Sequence, residues 1–174
     1  MHNLILKTIL TKKLKKKEIL SICKLKNTQW NYGVGSQLKW FSENIQDNDI
    51  HNLAYFKNKV VGYGLLRKRN FLLKKKKYPY LYYDTLIVLK KYRELKIGDK
   101  ISNLTVKTIK NLKLHSMLIC EKKIIPFHKK YKWKKITKRR TKILDHKYPK
   151  DFSIMCLNQT ETIKKGNIKY FIFN

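Results

Sequence analysis

Alanine is almost missing from this chain: Ala54 is the only one in 174 residues. Tyr, Phe and Ile are plentiful instead, so strand formers outweigh the best helix former. Acidic residues are also scarce, with 11 Asp and Glu against 42 Lys and Arg, a formal net charge of +31. That field attracts anions, whether nucleic acid, anionic membrane surfaces, nucleotides or phosphorylated cofactors. Lysine far outnumbers arginine and is abundant together with Asn, Ile and Tyr. These are residues of A/T-rich codons, so part of the charge follows base composition. Cysteine is sparse: Cys23, Cys120 and Cys156 form no C-x-x-C pair, which argues against a zinc knuckle or redox motif. No His, Cys, Asp or Glu cluster has metal-ligand spacing, and no metal is expected. No apolar run reaches membrane-span length. Cys120 and Cys156 lie in apolar runs, where buried thiols are the default, so a reducing cytoplasm is the expected compartment; the order "LILKTIL" then "TKKLKKK" reverses that of a secretory signal.

What is present can build a core. Hydrophobic residues make up 43% of the chain, too many for wholesale disorder. The length suits one domain, residues 1–174. Leu4 to Leu10 reads as a strand. Leu14, Glu18, Ile22 and Leu25 recur at helical spacing, and a second short helix capped by Ser36 follows the loop "NTQWNYGVGS". "IHNLAYF" and "KVVGYGLLRKR" flank Lys57-Asn58-Lys59 as a hairpin, and "NFLLKKKKYPY" reads as a loop. "YLYYDTLIVL" is a strand, the segment from Gly98 a helix, and "SMLICE" a strand. A short helix near Pro126 comes next, then strand candidates in "KKITKRR", "FSIMCL" and "IKYFIF". The fold class is mixed α/β, with a strand–helix–strand crossover between Tyr80 and Glu121.

That crossover carries the chemistry. Where a strand hands over to a helix N-terminus, backbone N–H groups favour phosphate. The handover is Arg93-Glu94-Leu95-Lys96-Ile97-Gly98. It resembles the acetyl-CoA loop of the GNAT N-acetyltransferase superfamily, Q/R-x-x-G-x-G/A. Arg93 takes the first position and Gly98 the last, while Lys96 replaces the first glycine. A second resemblance lies in "IIPFHKKYKW", where the family carries A-x-x-F-Y-x-x-x-G-F. Phe127 and Trp133 take the apolar positions, and His128 stands in place of the tyrosine. The order of elements is also similar over nearly the whole chain.

The resemblance implies a mostly antiparallel sheet of about six to seven strands, flanked by helices, with splayed fourth and fifth strands. It implies acetyl-CoA as acyl donor, its pyrophosphate held by Arg93, Glu94, Leu95, Lys96, Ile97, Gly98 and Asp99. The pantetheine arm would pair with Leu86, Ile87 and Val88, and an amide near Val88 would face the oxyanion. Asp84 is the candidate base. His128 and Tyr131, one turn apart, are alternative proton donors to the thiolate. The implied activity is direct transfer of acetyl to a primary amine of a small molecule. A nucleotide-linked amino sugar suits the basic surroundings. His51, Asp145 and His146 are further acceptor-side candidates, as are Trp30, Tyr32 and Trp40. The competing reading is a basic nucleic-acid-binding protein on a degenerate acetyltransferase fold, from "KKLKKK", "RKRNFLLKKKKY" and "KKYKWKKITKRRTK". Acetylation of a protein or tRNA would combine the two. The oligomeric state is left open.

Overall fold

A computed structural model describes residues 3–136, 141–147, 151–160, 163 and 166–173. Its strands are β1 (Leu4–Leu10), β2 (Ile50–Phe56), β3 (Lys59–Leu73), β4 (Lys76–Val88) and β5 (Ser116–Glu121), followed by β6 (Lys134–Lys135), β7 (Thr141–Ile143), β8 (Phe152–Leu157) and β9 (Ile168–Tyr170). The helices are α1 (Lys16–Asn27), α2 (Val34–Asn44), α3 (Ile97–Leu112) and α4 (Ile125–Lys129). The strands pair in the order β1-β2-β3-β4-β5-β8-β6, with β9 joined to β3 and β7. Antiparallel ladders dominate; β4–β5 and β7–β9 are parallel. The β4–β5 ladder covers only Leu81–Tyr83 against Ser116–Leu118, although both strands run on. This is the mixed, mostly antiparallel α/β architecture expected. Nine described strands replace the six to seven anticipated, because three of them are two or three residues long.

The chain divides into two compact units. The first comprises Met1–Arg67 and Thr85–Thr105. Strand alternation sends neighbouring residues to opposite faces there. On one face Leu53, Tyr63, Leu65 and Ile87 pack against Ile22, Cys23 and Leu25 of α1 and Phe41 of α2. On the other, Ala54, Val61 and Val88 receive Ile97 and Ile101 of α3. Gly62 makes that second contact close. A Cβ built there would meet Ile101 Cδ1 at 2.7 Å and Ile97 Cγ2 at 2.9 Å. Asn52 Nδ2 also donates to Thr105 Oγ1 at 3.0 Å, tying α3 to β2.

The second unit comprises Lys68–Asp84 and Val106–Asn174. Its core gathers Phe71, Tyr80, Tyr82, Met117, Ile154, Cys156 and Tyr170. Two sequence expectations change here. "NFLLKKKKYPY" is no loop: β3 and β4 run through it, joined by Lys74 and Lys75 at φ 48° and 66°. Two left-handed residues make a two-residue hairpin, which usually shows itself as Asn-Gly. Arg69 in the preceding basic run is buried, and its Nε donates to Ile172 O at 3.2 Å. In the first unit, α2 starts at Val34 after Gly33 (φ 85°), so Ser36 is inside the helix and does not cap it. Of "KKITKRR", residues 137–140 lie outside the described residues.

Candidate active site

In the first unit, β4 ends at Val88 and a 3-10 turn over Lys90–Leu95 leads into α3. Lys96 closes the turn in the left-handed region, φ 52° and ψ 31°, with its N–H donating to Arg93 O at 3.1 Å. The position at which the family carries glycine thus keeps the backbone shape that favours glycine, with a lysine side chain on it. The first α-helical bond of α3 runs from Lys100 N–H to Lys96 O, so the amides of Ile97, Gly98 and Asp99 precede the helical ladder. Asp99 places a carboxylate in that first turn, which suits the helix dipole. Arg93 is held at both ends of its guanidinium. Nε donates to Val88 O and Nη2 to Gln29 Oε1, each at 3.2 Å. It therefore ties the turn to the end of β4 and to the segment after α1. Gln29 lies 64 residues before Arg93, and no local pattern marked it. Leu86 is half-buried, while Ile87 and Val88 are buried.

The proton-transfer candidates lie in the second unit. Asp84, half-buried on β4, follows Tyr82 and Tyr83, which are both buried. His128 is enclosed by aromatic rings: Tyr83 at 6.2 Å, Trp133 at 6.4 Å and Phe127 at 5.4 Å between centroids. Its Nδ1 is buried with no hydrogen-bond partner among the described residues. Burial pushes its pKa down to about 4, so the ring is neutral at pH 7. Tyr131 is buried beside it, its ring 5.3 Å from Phe127 and its N–H on His128 O at 3.0 Å. The structure thus brings His128 and Tyr131 together on α4 and the turn after it. The stacking of Tyr83 on Trp133, at 6.0 Å, completes an aromatic wall that the sequence pattern only half showed.

The acceptor-side candidates of the sequence differ in their surroundings. His51 is fully buried; Nε2 lies 2.8 Å from Thr11 Oγ1 and Nδ1 2.8 Å from Tyr63 OH, and burial pushes it down to about 4. Asp145 accepts the backbone N–H groups of Ile172 and Phe173, each at 2.7 Å, and so anchors the segment after β9. His146 packs on Phe173 at 5.4 Å. Trp40 carries Lys26 Nζ 3.5 Å above its ring, whereas Trp30 and Tyr32 are exposed. All three cysteines are buried and free. Burial pushes Cys120 up to about 11 and Cys156 to about 12, so neither is a nucleophile at neutral pH. Among the described residues, no group of three or more His, Cys, Asp or Glu could hold a metal ion, and no helix is long and apolar enough to cross a membrane.

The Acetyltransferase (GNAT) family matches residues 19–132, well over half of the chain. The chain belongs to that family. Its acyl donor is acetyl-CoA and it is an N-acetyltransferase. The loop fits the cofactor: the left-handed turn at Lys96 leads into the leading amides of α3, and an extra cation stands where glycine is usual. The fold of this GNAT protein is similar to that of Escherichia coli ElaA, with a TM-score of 0.67 at 12% identity, covering 88% of this chain and 98% of that one. An acyl-CoA N-acyltransferase from Pseudomonas aeruginosa gives a TM-score of 0.65 at 11% identity, with 88% and 98% covered. Naa50 of Arabidopsis thaliana, solved with the bisubstrate analogue CoA-Ac-MVNAL, gives 0.60 at 20% identity, with 89% and 98% covered. No curated protein matches the chain in sequence.

Proposed function

We propose that this GNAT acetyltransferase acetylates the primary amine of a small anionic molecule, an amino sugar linked to a nucleotide being the acceptor class that fits best. The observation that carries this reading is charge. An aminoglycoside acetyltransferase is among the proteins of similar fold, at 16% identity, 75% coverage of this chain and a TM-score of 0.57, and was solved with sisomicin. A polycationic acceptor of that kind must approach against 42 basic residues and only 11 acidic ones here. An acceptor bearing phosphates is drawn in by the same field.

Acetyl-CoA supplies the activated acetyl group. The chain must receive the proton that the amine loses and deliver one to the departing thiolate. Asp84 is the proton acceptor in this reading, supported by its place two residues before Leu86 on β4. For the donor, the neutral, enclosed ring of His128 argues for Tyr131. A histidine held at about 4 has no imidazolium proton to give at pH 7. His128 then serves as a positioning residue in the aromatic wall. Arg93 positions the loop, and its ties to Val88 and Gln29 support that role.

The test is a CoA-release assay against a panel containing an amino-sugar nucleotide, the free amino sugar, an aminoglycoside and an N-terminal peptide. The amino-sugar nucleotide should give the highest kcat/KM, with a preference that shrinks as salt rises. A higher value for the aminoglycoside or the uncharged sugar would refute the acceptor assignment. Absence of acetyl-CoA binding at millimolar concentration would refute the loop's role as well.

A further inference from the structure

The first unit contains a pocket of about 720 Å³ whose lining includes none of the residues assigned above to cofactor binding or proton transfer. Six lysines line it: Lys7 from β1, Lys15, Lys17 and Lys24 at and along α1, and Lys57 and Lys59 from the β2–β3 turn. Lysines are common in this chain, but here three separate segments aim them into one concavity. The single carboxylate in the lining is Glu18, and its oxygens are committed. It accepts Lys15 N–H at 2.9 Å, Tyr55 OH at 2.7 Å and Lys7 Nζ at 3.1 Å. Burial raises its pKa, but those three donors outweigh the burial and hold the carboxyl below its ordinary value. Glu18 thus neutralises Lys7 and leaves five ammonium groups around the cavity. None of Lys17, Lys24, Lys57 and Lys59 makes an ion pair among the described residues. Leu25, Val60 and Leu89 give the same cavity an apolar side.

We propose that this pocket binds a small anion carrying a chain of phosphates. Like charges that converge on a concave surface repel one another, and a multivalent anion relieves that repulsion. One carboxylate or sulfate reaches too few of five ammoniums spread over a cavity of this size, whereas consecutive phosphates can meet several at once. The volume is that of a ligand pocket rather than of a groove tracking a polymer. Two sources share the chemistry, an inorganic polyphosphate and a nucleoside polyphosphate whose base rests on Leu25, Val60 and Leu89. None of Arg93 to Asp99 lines this pocket, although its residues Thr28 and Leu89 adjoin Gln29 and Val88, to which Arg93 is tied.

Calorimetry on the whole chain at about 150 mM salt tests it, with sodium tripolyphosphate and adenosine triphosphate as probes. The triple variant Lys17→Gln, Lys24→Gln, Lys59→Gln should bind tripolyphosphate at least ~10-fold more weakly. A control variant, Lys107→Gln, Lys110→Gln, Lys122→Gln, removes the same charge elsewhere and should lose less than ~3-fold. Both should keep the acetyl-CoA affinity of the parent. Equal affinity for the two probes would assign the site to the phosphate chain alone, and tighter binding of the nucleotide would seat a base on the apolar side. The proposal is overturned if both triples weaken binding equally, if neither probe binds at about 1 mM, or if an RNA oligonucleotide outcompetes both probes. A parallel loss of acetyl-CoA affinity in the pocket variant would also overturn it, since the pocket would then belong to the cofactor's own site.

Discussion

Gly62→Ala is the sharpest test of how α3, which follows the proposed cofactor loop, is seated. The added Cβ would sit 2.7 Å from Ile101 Cδ1, 2.9 Å from Ile97 Cγ2 and 3.4 Å from Ala54 Cβ. Ordinary carbon contacts lie near 3.5–4.0 Å, so α3 must yield by roughly half an ångström or more. Ile101 Cδ1 is the end of a flexible chain and can swing. Ile97 Cγ2 is fixed by the stiff χ1 of a β-branched residue in a helix, and Ile97 itself is fully buried. Overpacking of this kind costs about 1–3 kcal/mol, or a fall in Tm of roughly 3–10 °C for a chain of this size. Ile101→Val alone, which leaves a small void, should cost about 1 kcal/mol. Combined with Gly62→Ala it removes the flexible half of the clash, so the double variant should be more stable than the sum by ~0.5–2 kcal/mol. Urea denaturation of the four proteins measures that coupling. Because α3 carries the leading amides of the loop, the acetyl-CoA Kd of Gly62→Ala should rise severalfold. A Gly62→Ala variant within ~0.5 kcal/mol of the parent, or strictly additive energies, would refute the close seat of α3.

Three further expectations concern the turn at Lys96, the buried histidines and the proton donor. Lys96→Gly should stabilise the fold by up to ~1 kcal/mol, since the left-handed strain at φ 52° is relieved while glycine gains chain entropy on unfolding; Lys96→Val should destabilise by ~1 kcal/mol or more in the same urea assay. His51, His128 and His115, the last buried against Tyr170 OH in the second unit, are each pushed down to about 4 by burial. Between pH 6.5 and 4 the unfolded chain therefore binds protons that the folded one refuses, and stability falls as pH drops through that window, by up to ~3 kcal/mol per histidine. Urea midpoints measured across pH should show it, and a flat profile would remove the buried-neutral assignment. Tyr131→Phe should lower kcat about 10²-fold, while His128→Asn should change it less than ~10-fold and leave the shape of the kcat–pH profile intact; the reverse ranking would make His128 the donor.

Elements with strong periodicity were legible in the sequence. Amphipathic α1 and α3, the apolar β5 and the central part of β4 all announced themselves. The β3–β4 hairpin did not, because Lys74 and Lys75 stand where Asn and Gly normally signal such a turn. Neither did the inward faces of "RKRN": Arg67 and Arg69 are 1% and 2% exposed, while Lys68 and Asn70 between and after them point outward. Lysine and arginine look alike to a charge count, but the weakly hydrated guanidinium is the one that tolerates burial. The loop from Arg93 to Gly98 is legible from its position between a strand and a helix, whereas its tie to Gln29 is a tertiary contact with no local signal. The residue type of His128 suggests proton chemistry, whereas its enclosure by Tyr83 and Trp133 is a tertiary feature with no local signal.

The lysine at position 96 belongs to a wider habit of this chain. Among the described residues, eight other than glycine have positive φ, and six of them are lysines: Lys57, Lys74, Lys75, Lys96, Lys113 and Lys132. Charge and backbone strain therefore coincide at the same positions. Exchanging these six for glycine or asparagine would lower the formal charge from +31 to +25 and relax the turns in one step. Most proteins offer no such handle, because removing surface charge and improving local geometry are separate operations. Here a single set of substitutions could yield a less basic, more stable protein with every strand and helix left as it is.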